Sequence, residues 1–171
     1  MSIAGYSAAL TRDNYQKKSM RRKDKEITDI KSMEEIIAKA EVCRLALCFD
    51  NLPYVVPVCF GYKDKTIYFH SAKKGRKIEI LIKNNRVCFE FDIDHELIES
   101  ENGCSWGMKF KSVIGSGKVY FIEKADEKQA GLDIIMQQYS DKIFKFPEKQ
   151  LNNTLVAKID IEHMTGKKSG C

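Results

Sequence analysis

The sequence predicts a mainly β domain, an antiparallel barrel with helices at its periphery. Three observations support this class. Apolar and polar side chains alternate in several short segments with the period of two that half-buried strands show. Tight turns near residues 51–53 and 63–65 join neighbouring segments and leave no length for parallel crossovers. Helical periodicity is confined to three short stretches, and no G-x-G-x-x-G motif opens any of them after a strand.

The first half of the folded region is predicted to hold one helix and three strands. Ser32 and Glu35 have the spacing of a capping box, so we expect a helix from there to about Ala40. The periodicity then changes to that of strands, which we place at residues 42–48, 54–60 and 66–70. With their short connections, these strands form an antiparallel meander.

The second half supplies two more helices and the remaining strands. Gly115 and Gly117 indicate a bulge or a close backbone approach within one long strand. The expected elements are a helix at 75–84, a strand at 87–92, a polar loop at 94–107, a strand at 109–122, a helix at 126–139 and a last strand at 155–161. The sequence therefore predicts six strands, or seven if the long strand divides.

The composition fits a single folded domain. The chain has 171 residues, 43% of them apolar and 31% charged, which excludes wholesale disorder. Its longest apolar stretch, residues 54–62, falls short of the roughly 20 residues that a membrane-spanning helix needs. The N-terminus lacks the apolar segment of a secretory signal. We therefore expect a cytoplasmic protein without a membrane partner.

The formal net charge of +5 is concentrated at the N-terminus. Residues 1–31 contain eight Lys or Arg and four Asp or Glu, and the remaining body is nearly neutral. Because that body shows no interleaving of aromatic and basic residues, we expect no nucleic-acid partner. We expect a flexible extension at residues 1–19, one folded domain at 20–165 and a C-terminal tail at 166–171.

The six cysteines and three histidines lack the spacing of a metal site, so no metal is expected. Cys43, Cys48, Cys59 and Cys88 lie in apolar runs, where a free thiol behaves as a small buried hydrophobe. Cys104 lies in a polar segment instead, where it could be accessible, and no activating base is evident beside it.

Residues 69–77, Phe-His-Ser-Ala-Lys-Lys-Gly-Arg-Lys, are the most informative stretch. A predicted strand ends there, a Ser/Gly loop follows, and a helix begins among four basic residues. Loop and helix N–H groups, the helix dipole and the cations together suit a phosphate. The same pattern also fits an ordinary basic surface turn, and the two interpretations stay open on this stretch alone.

Arg44 and His70 each have two interpretations. Arg44 lies inside an otherwise apolar strand, where an unpaired guanidinium is costly, so it either reaches the surface or pairs with an anion. That anion is a carboxylate such as Glu90 or Asp92, or a ligand phosphate. His70 is either a hydrogen-bonded packing residue or a group close to a ligand held by the adjoining loop.

Short motifs in a fixed order extend over about residues 20–165. They are MRRKD at 20–24, CRLA at 43–46, PYVVPV at 53–58, YFHSA at 68–72, G-x-K at 75–77, VCFEFD at 87–92, WGMK at 106–109 and SVIG at 112–115. Each motif is weakly specific, and the ordered set is strong. It resembles the pyridoxamine-5′-phosphate-oxidase-like family of flavin-binding split barrels, and within it the nitroimidazole-resistance (Nim-type) branch.

This resemblance implies a six-stranded antiparallel split β-barrel of the FMN-binding type. It also implies a homodimer with FMN, or alternatively FAD, in a groove at the dimer interface. By position, Arg44 and Lys77 would hold the cofactor phosphate, assisted by Ser71 and Arg76. The groups implied near the flavin ring are the chain at Val56, Pro57 and Val58, the imidazole of His70 and the hydroxyl of Ser112.

The function implied by the resemblance is that of an FMN-dependent oxidoreductase acting on a small molecule. The name of the branch implies reduction of nitroimidazoles or other nitro groups, with His70 as the candidate catalytic proton donor. The C-terminal region lacks the Arg-x-His pattern that binds substrate in the vitamin B6 oxidase, so B6 oxidation is not expected. The alternative is a split barrel that binds flavin or haem without turnover.

Overall fold

The computed structural model describes residues 20–170, so the extension expected at residues 1–19 lies outside the described residues. Within that range the chain forms eight strands and four α-helices, and the fold is mainly β as predicted. The strands are β1 (Glu26–Ile27), β2 (Cys43–Phe49), β3 (Leu52–Val58), β4 (Phe60–Lys63), β5 (Thr66–Ala72), β6 (Arg86–Ile98), β7 (Gly107–Ile122) and β8 (Thr154–Ser169). The helices are α1 (Ile30–Lys39), α2 (Arg76–Lys83), α3 (Ala125–Gln137) and α4 (Glu148–Asn153).

One antiparallel sheet closes into a barrel because one of its strands is bent in two. The sheet order is β3-β2-β6-β7-β8-β5-β4, and β1 is added on β8. β3 and β4 stand at the two ends of this order, yet only Cys59 separates them in the chain. The bend at Cys59 therefore joins the ends of the sheet. With β3 and β4 counted as one strand, and β1 set aside, the barrel has the predicted six strands.

The polar loop predicted at residues 94–107 is correct for residues 99–106 and wrong at its two ends, where strand pairing continues. β6 and β7 remain paired from Glu96↔Lys109 to Ile98↔Gly107, beyond a register shift after Ile93. Cross-strand ion pairs stabilise this hairpin: Lys109 Nζ lies 3.0 Å from Glu96 Oε2. The polar composition that suggested a loop reflects a hairpin with solvent on both sides.

The C-terminal tail expected at residues 166–171 is also corrected over most of its length. β8 extends to Ser169, since it pairs with β7 on one side as far as Phe110↔Ser169. On the other side Gly166 and Lys167 pair with Ile27 and Glu26 of β1. The end of β8 is therefore an internal strand at this point and not a free terminus.

Aromatic side chains at alternate strand positions fill the barrel. Phe60, Phe69, Phe89 and Phe91 are fully buried, and the ring centroids of Phe60 and Phe91 are 4.7 Å apart. Burial of such side chains contributes much of the free energy of folding. Because side chains alternate along a strand, burial of Phe89 and Phe91 turns the intervening Glu90 to the outer face.

α1 covers one end of the barrel and begins at a different cap from the one predicted. Asp29 is the N-cap residue, and its Oδ2 accepts a hydrogen bond of 2.7 Å from the backbone N–H of Ser32. The capping box expected to start at Ser32 is therefore wrong, since Ser32 occupies the third helical position. The helix ends at Lys39, close to the predicted end, and packs Met33, Ile36 and Ile37 into the core.

α2 covers the opposite end of the barrel. The side-chain amide of Asn84, just after α2, donates a 2.8 Å hydrogen bond to the carbonyl of Cys48, near the end of β2. Because β2 and β6 are antiparallel, this end of the barrel holds the start of β6. α1 lies at the other end, where Ile36 and Ile93 share a surface cleft. No helix within residues 20–170 is long and apolar enough to cross a bilayer.

The burial expected for four cysteines is correct for one. Cys43 is buried, whereas Cys48, Cys59 and Cys88 are exposed. Cys48 and Cys88 occupy outward positions of their strands, and Cys59 lies at the bend between β3 and β4. Cys104 is exposed. Within residues 20–170, no three His, Cys, Asp or Glu side chains come together as candidate metal ligands.

Gly61 allows α3 to pack directly on β4, which gives the first prediction. A Cβ at Gly61 would lie 2.4 Å from the carbonyl oxygen of Ile134, a backbone atom that cannot move without shifting the helix. We expect Gly61→Ala to lower the free energy of unfolding by about 2 kcal/mol, measured by urea denaturation. The matched control is Gly103→Ala, where nothing lies within 4 Å of the added methyl group. Equal stability of the two variants would contradict this packing.

Candidate functional site

Four cations surround the start of α2. β5 ends at Ala72, and Lys73, Lys74, Arg76 and Lys77 follow within the turn and the first helical positions. Gly75 is the N-cap residue with φ of +123°, a conformation that side-chain-bearing residues rarely adopt. No side chain among residues 20–170 caps this helix, so its first N–H groups can bind an anion. This segment has the strand end, loop and helix start that the sequence predicted.

These cations lack carboxylate partners. None of the ion pairs among residues 20–170 involves Lys73, Lys74, Arg76 or Lys77. On the neighbouring strand β6, by contrast, Arg86 is paired with Glu162 at 3.0 Å. Four cations are therefore concentrated at the start of α2 without a carboxylate partner in the described part of the chain.

Lys77 and His70 lie close enough to affect each other electrostatically. Burial lowers the pKa of Lys77, whose ammonium lies 5.4 Å from the centre of the Phe69 ring. Burial also lowers the pKa of His70, and the positive charge of Lys77 lowers it further. Both groups would be stabilised in their charged forms by an anion placed between them. At neutral pH without such an anion, the imidazole of His70 is neutral.

β3 has an unpaired edge that runs past this cationic group. It pairs with β2 on one side, and the barrel is split on the other. The guanidinium of Arg76 lies 5.0 Å from the ring centre of Tyr54 in β3, which connects the start of α2 to this strand. Val56 and Val58 are two and four residues further on, about 7 and 13 Å along an extended strand. A phosphate near α2 and a flat ring along β3 would suit this spacing.

The three β3 residues predicted near a ring differ in orientation. Val58 is buried in the core, Val56 packs against it, and Pro57 is exposed on the outer face. Pro57 has no N–H, and the Pro57 position is opposite Arg44 in β2. This segment therefore offers a ligand its backbone, in particular the carbonyl groups on its free edge.

Arg44 is held by carboxylates on the outer face of the sheet. Its Nη1 donates to Glu90 Oε2 at 3.0 Å and to Asp92 Oδ1. Asp92 also contacts Nε2 of His95 at 2.7 Å. Burial and the neighbouring Asp92 raise the pKa of Glu90, whereas Arg44 acts against that increase. Of the two partners that the sequence left open for Arg44, the chain itself supplies the carboxylates.

A single chain does not bring Arg44 and Lys77 together. Arg44 is opposite Pro57, whereas the α2 group meets β3 at Tyr54, three residues and about 10 Å away along the strand. Arg44 lies near the α1 end of β2, and Lys77 lies at the α2 end of the barrel. Ser71 stands beside the cationic group at the end of β5. Ser112 is buried on β7, opposite Asp92, and so belongs to the surroundings of Arg44.

A cavity of about 220 Å³ opens beside His70. His70 stands at its polar side, while Leu132, Ile135 and Met136 of α3 line its apolar side. A void of 150 Å³ lined by apolar side chains is large enough for benzene, so this cavity has room for one substituted ring. The sequence did not predict this cavity, since it depends on how α3 and α4 pack across β5.

Tyr54 is a site residue that the sequence analysis missed. The sequence indicates only that Tyr54 starts a strand, whereas in the structure the guanidinium of Arg76 lies over its ring. The only sequence signal was a tyrosine at a strand start with basic residues some twenty positions later, and that pattern is too common to identify a contact.

Comparisons with known proteins identify a matching family and similar structures. The family described as pyridoxamine 5′-phosphate oxidase matches residues 29–168. A crystal structure of a candidate 5-nitroimidazole antibiotic resistance protein from Bacteroides thetaiotaomicron is 40% identical, with a TM-score of 0.76. The match covers 84% of this chain and 86% of that one.

Two more distant proteins are also similar. The FAD and heme binding protein from Mycobacterium smegmatis is 16% identical with a TM-score of 0.78, over 86% of this chain and 74% of that one, and this likeness shows the fold. An uncharacterized protein of Rhizobium meliloti is 28% identical over 83 residues, 48% of this chain. That match also spans 48% of the curated relative, about half its length.

The electrostatic effect of Lys77 on His70 gives a second prediction. Replacing Lys77 by Gln removes a positive charge that opposes protonation of the imidazole, so we expect the pKa of His70 to rise. The measurement is an NMR titration of the His70 ring protons, assigned by their loss in His70→Gln. Lys83→Gln, at the other end of α2, is the matched control and should leave that pKa unchanged. An unchanged pKa of His70 in Lys77→Gln would contradict this electrostatic interaction.

Proposed function

The chain belongs to the pyridoxamine 5′-phosphate oxidase family, and on that premise we propose that it is a flavin-dependent oxidoreductase that reduces small nitro compounds. The observation that carries this proposal is the group of unpaired cations at the start of α2, beside the free edge of β3. A phosphate joined to a flat ring by a flexible chain fits both features at once. FMN meets this description, and FAD adds a nucleotide beyond the phosphate.

The residues at the start of α2 fit the phosphate end of such a cofactor. Lys77 and Arg76 would provide charge, and Ser71 and the free N–H groups of the helix would provide hydrogen bonds. The depressed pKa of Lys77 indicates a cation that the protein itself does not stabilise, which a phosphate would correct. No other group of cations in the described part of the chain combines these properties with an uncapped helix start.

The position of Arg44 supports a site shared by two copies. In one chain Arg44 lies too far from Lys77 to hold the same phosphate. The outer face of the sheet around Arg44 also exposes Val55 of β3 and Ile114 of β7. A homodimer that covers this face would bring Arg44 of one copy towards the cofactor of the other. We therefore propose that Arg44 and Ser112 contact the cofactor only in a dimer.

The chain's own groups would divide the work of the reaction. Bound flavin supplies the electrons, with N5 of the ring as the hydride-transferring atom. β3 would orient the ring, and α2 would anchor its phosphate. His70 lines the adjacent cavity, so it can hydrogen-bond to a substrate held there. An anion beside it raises its pKa, and a protonated imidazole can donate a proton to a nitro oxygen.

Nitro reduction is preferred over other activities because of a single relative. The protein from Bacteroides thetaiotaomicron, with 40% identity over most of both chains, carries the nitroimidazole description. The cavity beside His70 has the volume for one substituted ring. The C-terminal region has no Arg-x-His pattern for a second substrate phosphate, which argues against a vitamin B6 substrate.

Cofactor binding gives the third prediction. We expect the purified protein to bind FMN with the visible absorbance of a flavin, and we expect Lys77→Gln to weaken that binding at least tenfold, about 1.4 kcal/mol. Fluorescence titration with FMN and with FAD measures both affinities. Lys83→Gln, at the far end of the same helix, should bind within about twofold of the wild type. Absence of flavin binding by the wild type would overturn the cofactor assignment. Equal flavin affinity of Lys77→Gln and the wild type would overturn the proposed phosphate site.

Nitro-group reduction gives the fourth prediction. In the absence of oxygen, the flavoprotein is first reduced with dithionite and then mixed with a nitroimidazole. We expect the flavin absorbance to return, and we expect His70→Gln to slow that return at least about tenfold at unchanged flavin affinity. Stopped-flow absorbance measures the rate. Flavin that stays reduced in the presence of the nitroimidazole would contradict the proposed activity, whatever the affinity of the protein for flavin.

A further inference from the structure

The β6–β7 hairpin projects beyond the α1 end of the barrel as an arm, which we define as residues 94–108. Its apolar side chains are largely uncovered: the exposed fraction is 51% for Leu97, 49% for Trp106 and 44% for Met108. The indole N–H of Trp106 donates to the carbonyl of Ser100, so the ring is held in place while its surface remains open. Exposed aromatic and aliphatic side chains held in this way are typical of interaction sites.

The tip of the arm carries negative charge without a partner. Asp94 and Glu96, at its base, pair with lysines of β7. Glu99 and Glu101, at its tip, take part in none of the ion pairs within the residues that the structure describes. The arm therefore presents two free carboxylates next to an apolar patch.

The complementary charge lies at the other end of the same molecule. Lys73 and Lys74 precede α2, are exposed, and have no carboxylate partner in the described part of the chain. Of Lys73, Lys74 and Lys77, only Lys77 contacts the ring of Phe69. With the phosphate assigned to Lys77, the other two lysines can bind the carboxylates of a partner. β6 begins at this end with Arg86 and ends in the arm at Ile98, twelve residues and about 40 Å further on. One chain cannot bring its own arm to its own lysines.

We propose that the arm docks on a second copy of this chain, against the turn that holds Lys73 and Lys74. A twofold axis perpendicular to the strands reverses the barrel end to end, so it places each arm at the α2 end of the other copy. In this arrangement the arm of each copy contacts the lysines of the other, so the contact forms twice. Such twofold symmetry is the usual form of a homodimer. This inference rests on the proposed dimer and adds which surfaces make it.

The docking places Trp106 of one copy at the cofactor site of the other. Lys73 and Lys74 directly precede the residues proposed to hold the phosphate, so the apolar side of an arm bound there covers that end of the groove. The partner copy thereby completes a site that is open to solvent in the single chain.

Charge reversal tests this docking in the full-length protein and is the fifth prediction. We expect Glu99→Lys/Glu101→Lys to weaken the dimer at least tenfold in sedimentation equilibrium at low ionic strength, and Lys73→Glu/Lys74→Glu to do the same. Combining all four substitutions restores opposite charges across the contact, and we expect affinity within about threefold of the wild type. Lys63→Glu/Lys65→Glu, with the same charge change at the β4–β5 turn, is the control and should leave the dimer intact.

Trp106, the only tryptophan, supplies a second readout. In the dimer its ring leaves water, so emission of the wild type should lie at shorter wavelength than that of Glu99→Lys/Glu101→Lys. A dimeric wild type whose affinity is unchanged by either pair of substitutions, or not restored by the combination, would overturn the arm contact alone. A wild type that is monomeric at micromolar concentration would overturn the dimer and the arm contact, and would leave flavin binding to be judged by its own titration.

Discussion

The split in the barrel at Cys59 is the constraint on which the site depends. A closed barrel of this size would pair every strand on both edges and leave no backbone groups for a ligand. Because the bent strand pairs with β2 in its first half and with β5 in its second, the edge of β3 stays free. β5 leads into the start of α2 beside that edge. Four cations lie there, and within the described part of the chain no carboxylate pairs with them. The fold thus creates a backbone edge and a positive charge at one place.

A second consequence of the barrel concerns its two ends. Arg44 and the arm lie towards the α1 end, whereas Lys77 and the lysine-rich turn lie at the α2 end. Groups that the family resemblance assigns to one site are therefore separated in the single chain. A twofold arrangement removes this separation for Arg44, and it also matches the acidic tip of the arm with the cations that remain free. The proposed dimer would therefore account for two unrelated features of the chain.

Much of the fold was predictable because it depends on local patterns. Alternation placed the six main strands, and the aromatic side chains at alternate positions of β6 identified its inward face. The N-cap at Asp29 was missed because Ser32 matched the same motif three residues later. The loop predicted at 94–107 was too long because polarity alone does not distinguish a loop from the adjoining strands of a hairpin exposed on both sides. Burial of Cys48 and Cys88 was wrong because both occupy outward positions of their strands, which the alternation of Phe89 and Phe91 already indicates for Cys88.

The candidate site was predictable only in part. The concentration of cations at the start of α2 was predictable because the residues that form it, 71–77, are consecutive in the chain. The salt bridges of Arg44 were one of the alternatives left open, and they depend on the pairing of β2 with β6. The contact of Arg76 with Tyr54 and the cavity beside His70 join segments far apart in sequence, so no local pattern indicates them.

The most direct test of the central claim is a crystal structure of the protein with FMN bound. The account predicts the phosphate within hydrogen-bond distance of Lys77 Nζ and the N–H groups at the start of α2, and the ring along Val56–Val58 at the edge of β3. A phosphate bound elsewhere, with Lys77 facing solvent and the edge of β3 unoccupied, would contradict it.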